Sequence, residues 1–143
     1  VTNELARVLK PGGTLAFSTW PKELFMGKFF KLLEDFSPPL PAEVASPVLW
    51  GDMTIIQERL ENHFEKIEFG RDTMYAPTMS PAHMLKLFEK NAGPLSNLVK
   101  ALGDDPTKLT ELRNAALDLI KKFFSNNYLR QDFLMTRCIK KSL

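Results

Sequence analysis

The segment from Asp132 to Ile139 constrains the fold more than any other, because both of its alternating sets of positions are apolar: Phe133, Met135 and Ile139 on one, Leu134 and Cys138 on the other. A strand with two apolar faces needs cover on both and belongs in the middle of a sheet rather than at its edge. Two earlier segments read as strands. Thr14 to Trp20 carries no charge and forms a short buried strand. Ile67, Phe69, Thr73 and Tyr75 fall on alternate positions, with Arg71 as the one charged interruption, which is the period of a half-buried strand closed by Pro77.

Helices account for the rest. Leu5, Val8 and Leu9 share one face of a run from Thr2 to Leu9 that Pro11 ends, and Gly12 and Gly13 supply the tight reversal into the first strand. Phe25, Met26, Phe29, Phe30, Leu33 and Phe36 give the segment from about Leu24 to Phe36 a wide apolar stripe. Pro38, Pro39, Pro41 and Pro47 exclude regular helix or central strand from Ser37 to Leu49 and predict a loop. Asp52 caps a helix over residues 53–63 that carries Met53, Ile56, Leu60 and Phe64 on its apolar series. Ser80-Pro81 opens a helix to about Lys90. Leu95, Leu98, Val99 and Leu102 mark a second, and Asp105-Pro106 caps a third with Leu109, Leu112, Ala116, Leu119, Ile120 and Phe123 on one stripe, so that three helices form one layer.

At 143 residues, 44% hydrophobic and 25% charged, the chain is of single-domain size, and a chain of this length can bury roughly two-thirds of its unfolded surface. Nineteen Lys and Arg against 17 Asp and Glu leave a net charge of +2, too little for phosphate neutralisation to dominate binding, so no nucleic-acid partner is expected. No apolar run approaches the roughly 20 residues of a bilayer span, and no membrane partner is expected either. Cys138 is the one cysteine and cannot form an intrachain disulfide, which fits a reducing cytoplasm. The abrupt helical opening at Val1-Thr2-Asn3 reads as a cut into a longer protein.

Catalytic motifs are not legible. No spacing matches a zinc site, a nucleophile elbow or a P-loop, and His63 and His83 stand apart. His63, at a helix end, reads as a capping or surface residue. His83, in the first turn of its helix, reads either as a satisfied structural side chain or as a ligand contact. The Phe25 to Phe36 helix and the cluster of Met79, Met84, Leu85 and Phe88 read by default as core packing, with the lining of an apolar pocket as the alternative. Trp20 and Trp50 stand at element ends, where an indole has one buried face and one wet edge. Lys121-Lys122 and Glu34-Asp35 read as solvated pairs, and Cys138 as an inert buried thiol.

The run Glu4-Leu5-Ala6-Arg7-Val8-Leu9-Lys10-Pro11-Gly12-Gly13-Thr14-Leu15 resembles the helix, turn and fifth strand of class I S-adenosylmethionine-dependent methyltransferases. Leu49-Trp50-Gly51-Asp52 with its helix, the strand through Ile67 and Phe69, and Ser80-Pro81 are similar to the C-terminal region of that family's small-molecule branch, and Arg137-Cys138-Ile139-Lys140-Lys141 to its final antiparallel strand. The resemblance implies an α/β fold: the C-terminal half of a Rossmann-like sheet, three strands in the order 5-7-6 with the last antiparallel, and a helical insertion at about residues 80–124. It implies S-adenosylmethionine as cofactor and a small-molecule methyl acceptor. The family's glycine-rich cofactor loop and ribose-binding acid have no counterpart here, so no cofactor-binding, catalytic or metal residue is assigned, and the chain alone is expected to be inactive. Trp20, Phe29, His83, Met84 and Phe88 are the residues expected on the acceptor side. A homodimer formed through the open edge of the fifth strand is the expected assembly. The competing reading is a non-catalytic module that binds an apolar ligand or a partner chain.

Overall fold

The computed structural model describes residues 1–39 and 45–142. Ten helices and strands follow one another: α1 (Thr2–Val8), β1 (Thr14–Thr19), α2 (Phe25–Phe36), α3 (Met53–Leu60), β2 (Phe64–Pro77), α4 (Pro81–Asn91), α5 (Gly93–Ala101), α6 (Pro106–Lys122), β3 (Phe124–Ser125) and β4 (Tyr128–Lys140). The fold is α/β, an open antiparallel sheet with helices. Its order is β1-β4-β2, with the short β3 also paired to β4. The last strand is thus central, antiparallel to β1 from Thr14↔Ile139 to Thr19↔Leu134 and to β2 from Phe64↔Lys140 to Pro77↔Tyr128.

The helix starts follow from their caps. Asp52 accepts from the amides of Thr54 and Ile55, Ser80 from that of His83 and Asp105 from that of Lys108, and proline stands in the first turn of α4, α5 and α6, where a missing N–H is harmless. The end of α1 is closed from far away in sequence. Lys140 Nζ donates to the carbonyls of Ala6 and Leu9, while Gly12 N–H donates to Lys140 O. Gly12 sits at φ 73°, a conformation open to glycine at little cost.

Five expectations need correction. The first strand, expected to be buried through Trp20, ends at Thr19 and alternates exposed and half-buried residues, because it pairs on one side only among the described residues. The helix at Met53 ends at Leu60, and Phe64, expected on its apolar series, is instead the buried first residue of β2. Strand β2 is longer than its alternation suggested and is irregular between Glu65 and Glu68, where Lys66 takes φ 51°; Tyr75 is exposed while Ala76 packs on the helices. The central strand starts at Tyr128, four residues before Asp132, because a tight turn at Asn126 (φ 49°) and Asn127 (φ 61°) folds β3 back on it. In the proline-rich segment, Pro47–Gly51 forms a 3₁₀ turn capped by Ser46, whereas residues 40–44 of the expected loop lie outside the described residues.

Two cores result. The helical core gathers Phe25, Phe29, Leu33, Met84, Leu85, Leu95, Leu98, Leu112, Ala116 and Ile120 with Leu129 of β4. The sheet core packs Ala6, Ile56 and Leu60 against Phe64, Leu134 and Cys138. The turn after β1 lies where both meet: a Cβ on Gly51 would stand 2.0 Å from Trp20 O, and one on Gly27 would stand 2.2 Å from Pro21 O.

Candidate functional site

Strands β1 and β2 both run antiparallel to β4 and are therefore parallel to each other, so their carboxyl ends lie at the same end of the sheet. In α/β sheets ligands bind outside the carboxyl ends of parallel strands, because the connecting loops leave a crevice there. At that end the end of β2, the α4 N-terminus, the β3-β4 turn and the last turn of α6 surround two clefts that share Tyr128.

The first cleft, about 540 Å³, has Leu24, Phe123 and Phe124 as apolar wall and Tyr75, Tyr128, Arg130 and Asp132 as polar wall. The polar side is a product of strand periodicity. Tyr128, Arg130 and Asp132 are two residues apart and share one face of β4, and the register sets Tyr75 opposite Arg130 and Thr73 opposite Asp132. Asp132 Oδ1 accepts from Arg130 Nη2 (2.8 Å), Arg130 Nε (3.0 Å) and Thr73 Oγ1 (2.6 Å). Burial by itself would raise the Asp132 carboxyl, but the bonds from Arg130 and Thr73 outweigh it and hold the group below the ordinary aspartate range. The same bond raises the Arg130 guanidinium above its usual value. The rings of Tyr75 and Tyr128 meet edge to face, 6.2 Å apart at 80°, and stay 58% and 46% exposed.

The second cleft, about 560 Å³, has Thr78, Met79, His83 and the Asn126-Asn127 turn around it. Thr78 is buried, its amide donates to Asn127 O, and its hydroxyl lies 2.9 Å from His83 Nδ1. This fixes the His83 ring and leaves Nε2 as its other nitrogen. Met79, grouped by sequence with the apolar cluster, is instead 75% exposed.

The residues expected on the acceptor side fall into separate places. Only His83 lines a cleft at this end of the sheet. Phe29 and Met84 are buried in the helical core with Phe88 packed against them, and the Phe29 and Phe88 rings lie 5.2 Å apart. They fill the interior and line neither of these clefts. Trp20 is half-buried, edge to face with Phe133 at 6.4 Å. Trp50 packs edge to face with Phe17 beneath the Arg59 guanidinium, 4.7 Å from its ring centre. His63 Nε2 pairs with Asn3 Oδ1, and burial pushes the Cys138 thiol up. Sequence reading missed Tyr75, Arg130 and Asp132 as a group. The signal was the Tyr-x-Arg-x-Asp alternation of residues 128–132, an aromatic, a cation and an anion on one face of an otherwise apolar strand.

Among the described residues, no three His, Cys, Asp or Glu side chains converge as metal ligands, and no helix is long and apolar enough to cross a membrane. The Gly12-Gly13 turn does not fit a nucleoside cofactor. Its amides are committed to Lys140 O and Lys10 O, a Cβ on Gly13 would meet Lys10 O at 2.8 Å, and the turn precedes β1 at the end of the sheet opposite the clefts.

No family model matches the chain. It is 24% identical over 134 residues to an uncharacterized protein of Mycobacterium bovis, covering 93% of this chain and 49% of the relative. It is 23% identical over 140 residues to an uncharacterized protein of Mycobacterium tuberculosis, covering 97% and 51%. The chain spans about half the length of the curated relatives it matches.

Proposed function

We propose that this chain is the acceptor-side, C-terminal part of a class I S-adenosylmethionine-dependent methyltransferase that acts on a small molecule. The sheet order carries the reading. What supports it is the last strand's place, between β1 and β2 and antiparallel to both; that β1, β2 and β4 correspond to the family's fifth, sixth and seventh strands is part of the proposal. Arg7 and Val8 close α1 and Leu9 to Gly13 connect it to β1, which adds support.

On this reading the cofactor supplies the methyl group and binds to elements outside this chain. The work left to the residues described here is to hold the acceptor in place and exclude water. His83, steadied by Thr78 at the mouth of a cleft on the carboxyl side of the sheet, is the assigned contact to the acceptor. Calorimetric titration with S-adenosylmethionine tests the reading on two polypeptides, this chain and one extended upstream to the length of its relatives. The extended protein is expected to bind at micromolar concentration and this chain not at all, and His83→Ala in the extended protein is expected to leave cofactor affinity intact. Micromolar binding by this chain alone would overturn the reading, and so would absence of binding by the extended one, the outcome that a non-catalytic binding module predicts.

The same reading carries an expectation for assembly. β1 pairs with β4 on one side and, among the described residues, with nothing on the other. It carries no charge, proline or bulge of the kind that protects an edge. Two copies of this chain are expected to pair through β1. Light scattering that gives a strict monomer well above micromolar concentration would refute this.

A further inference from the structure

The cleft between α6 and the β2-β4 ladder is not used by the reading above, and its chemistry is specific. We propose that it binds a planar aromatic monoanion, such as a one- or two-ring arene carboxylate. The inference stands on the cleft alone and does not depend on methyl transfer.

Three observations combine. First, Tyr75 and Tyr128 form an exposed corner, two rings at 80°, into which a third ring fits with its face on one and its edge on the other, the arrangement that aromatic quadrupoles favour. The two rings pack on each other but leave about half their area in water, so a ring seated there would bury area that is now wetted. Second, the guanidinium of Arg130 is held rigid. Asp132 takes its Nε and Nη2, and Thr73 fixes Asp132 in turn, so Nη1 is the remaining donor group, on a residue whose register partner is Tyr75. A pre-oriented fork loses less freedom on meeting a carboxylate than a free side chain does. Third, the charges do not cancel. Arg130, Lys122 and the single carboxylate of Asp132 line the cleft; Arg130 pairs with Asp132, and Lys122 forms no salt bridge among the described residues. One positive charge is left over, which selects a monoanion. The apolar wall of Leu24, Phe123 and Phe124 suits a ring rather than a hydrated ion, and about 540 Å³ is within the usual range for small-molecule sites.

Benzoate is the probe, with benzyl alcohol as its uncharged and cyclohexanecarboxylate as its non-aromatic counterpart. Each is titrated into this chain while the tyrosine ring resonances are followed by NMR. Benzoate is expected to bind saturably and to shift the Tyr75 and Tyr128 signals, with both counterparts at least about fivefold weaker, each lacking one class of contact. Tyr75→Leu and Lys122→Gln are expected to weaken benzoate by about five- to tenfold each. Arg130→Gln is expected to weaken it further, and the two milder variants keep the test intact should that one unfold by unpairing Asp132. Absence of saturable benzoate binding, equal binding of benzyl alcohol, or unchanged affinity in folded Tyr75→Leu and Lys122→Gln would overturn the proposal.

Discussion

In the helical core, Leu85, Leu95, Leu98, Leu112 and Ala116 reach one another from three helices that follow directly along the chain. In the sheet core, Ala6 from one end of the sequence and Cys138 from the other meet Ile56, Leu60 and Phe64 from its middle. The first is assembled largely from neighbours, with α2 and Leu129 of β4 joining from farther along the chain, and shows in helical periodicity. The second exists only once β4 is in place, since Leu134 and Cys138 are its floor. What joins them is backbone: β4 supplies Leu129 to one and Leu134 to the other, and the Trp20-Pro21 turn is clamped between Gly51 and Gly27. The contrast teaches that local pattern can build a layer of helices, while its attachment to a sheet rests on a few close approaches.

The largest expected effect breaks that attachment. A methyl group at residue 51 meets a carbonyl oxygen and a Cα of the Trp20-Pro21 turn, neither of which can move aside like a side chain, so Gly51→Ala is expected to cost about 4 kcal/mol. Gly70→Ala, whose Cβ would meet nothing within 4 Å, is the control. Equal urea midpoints for the two variants would remove the clamp from the account.

Next in size are cavities placed in one core at a time. Leu112 and Ile56 are both fully buried, and truncating either to alanine is expected to cost about 3 kcal/mol. Trp50, packed on Phe17, reports on the sheet core by fluorescence, while far-UV circular dichroism is dominated by the helices. Since β4 runs through both cores, each variant is expected to shift both signals together. Separate transitions would mean that the cores unfold as two units.

Asp132 sharpens the comparison through pH. Its folded carboxyl lies below the unfolded range, so its contribution is fully present above the unfolded value and is lost as pH falls through the folded one. Wild type is expected to exceed Asp132→Asn in stability by about 1 kcal/mol at neutral pH, a gap that begins to narrow below about pH 4 and closes only once the folded carboxyl is itself protonated. A gap that stays constant with pH would remove the ionised carboxylate from the explanation.

The smallest effect has the opposite sign. Thr136 is fully buried in β4 and its hydroxyl has no hydrogen-bond partner among the described residues. Thr136→Val keeps the shape, removes an unsatisfied polar group, and is expected to raise stability by up to about 1 kcal/mol. A loss measured by denaturant titration would show that the hydroxyl is satisfied after all.

These contrasts also mark what could be read from the residues. The stripe of α2, the caps at Asp52, Ser80 and Asp105, and the central place of β4 were legible because each rests on neighbours within one or two turns or on a strand's own two faces. The turn at Asn126-Asn127 was not. It lacks the glycine that usually announces a left-handed hairpin, and Phe123-Phe124 before it continues the apolar series of α6. Lys66 at φ 51° gave no signal either, as the irregularity is imposed by pairing with β4. For the candidate site, periodicity showed which side of α2 and α4 turns inward, but not whether that side meets a hollow or another ring. Phe29, Met84 and Phe88 meet other side chains. His83 was visible as a residue, and its partner Thr78 was not, because the contact depends on how the chain turns between β2 and α4.

The central place of the last strand also sets an order of events during synthesis. β1 and β2 have no hydrogen bonds to each other, and both wait for β4. As the nascent chain leaves the ribosome, α4, α5 and α6 can associate while they are being made, but of the strands described here β1 and β2 meet the one that joins them only when residues 128–140 emerge. For that interval Leu15, Phe17, Ile67 and Phe69 remain uncovered by their eventual partner, and the window closes only with Lys140, whose ammonium reaches back to the first helix.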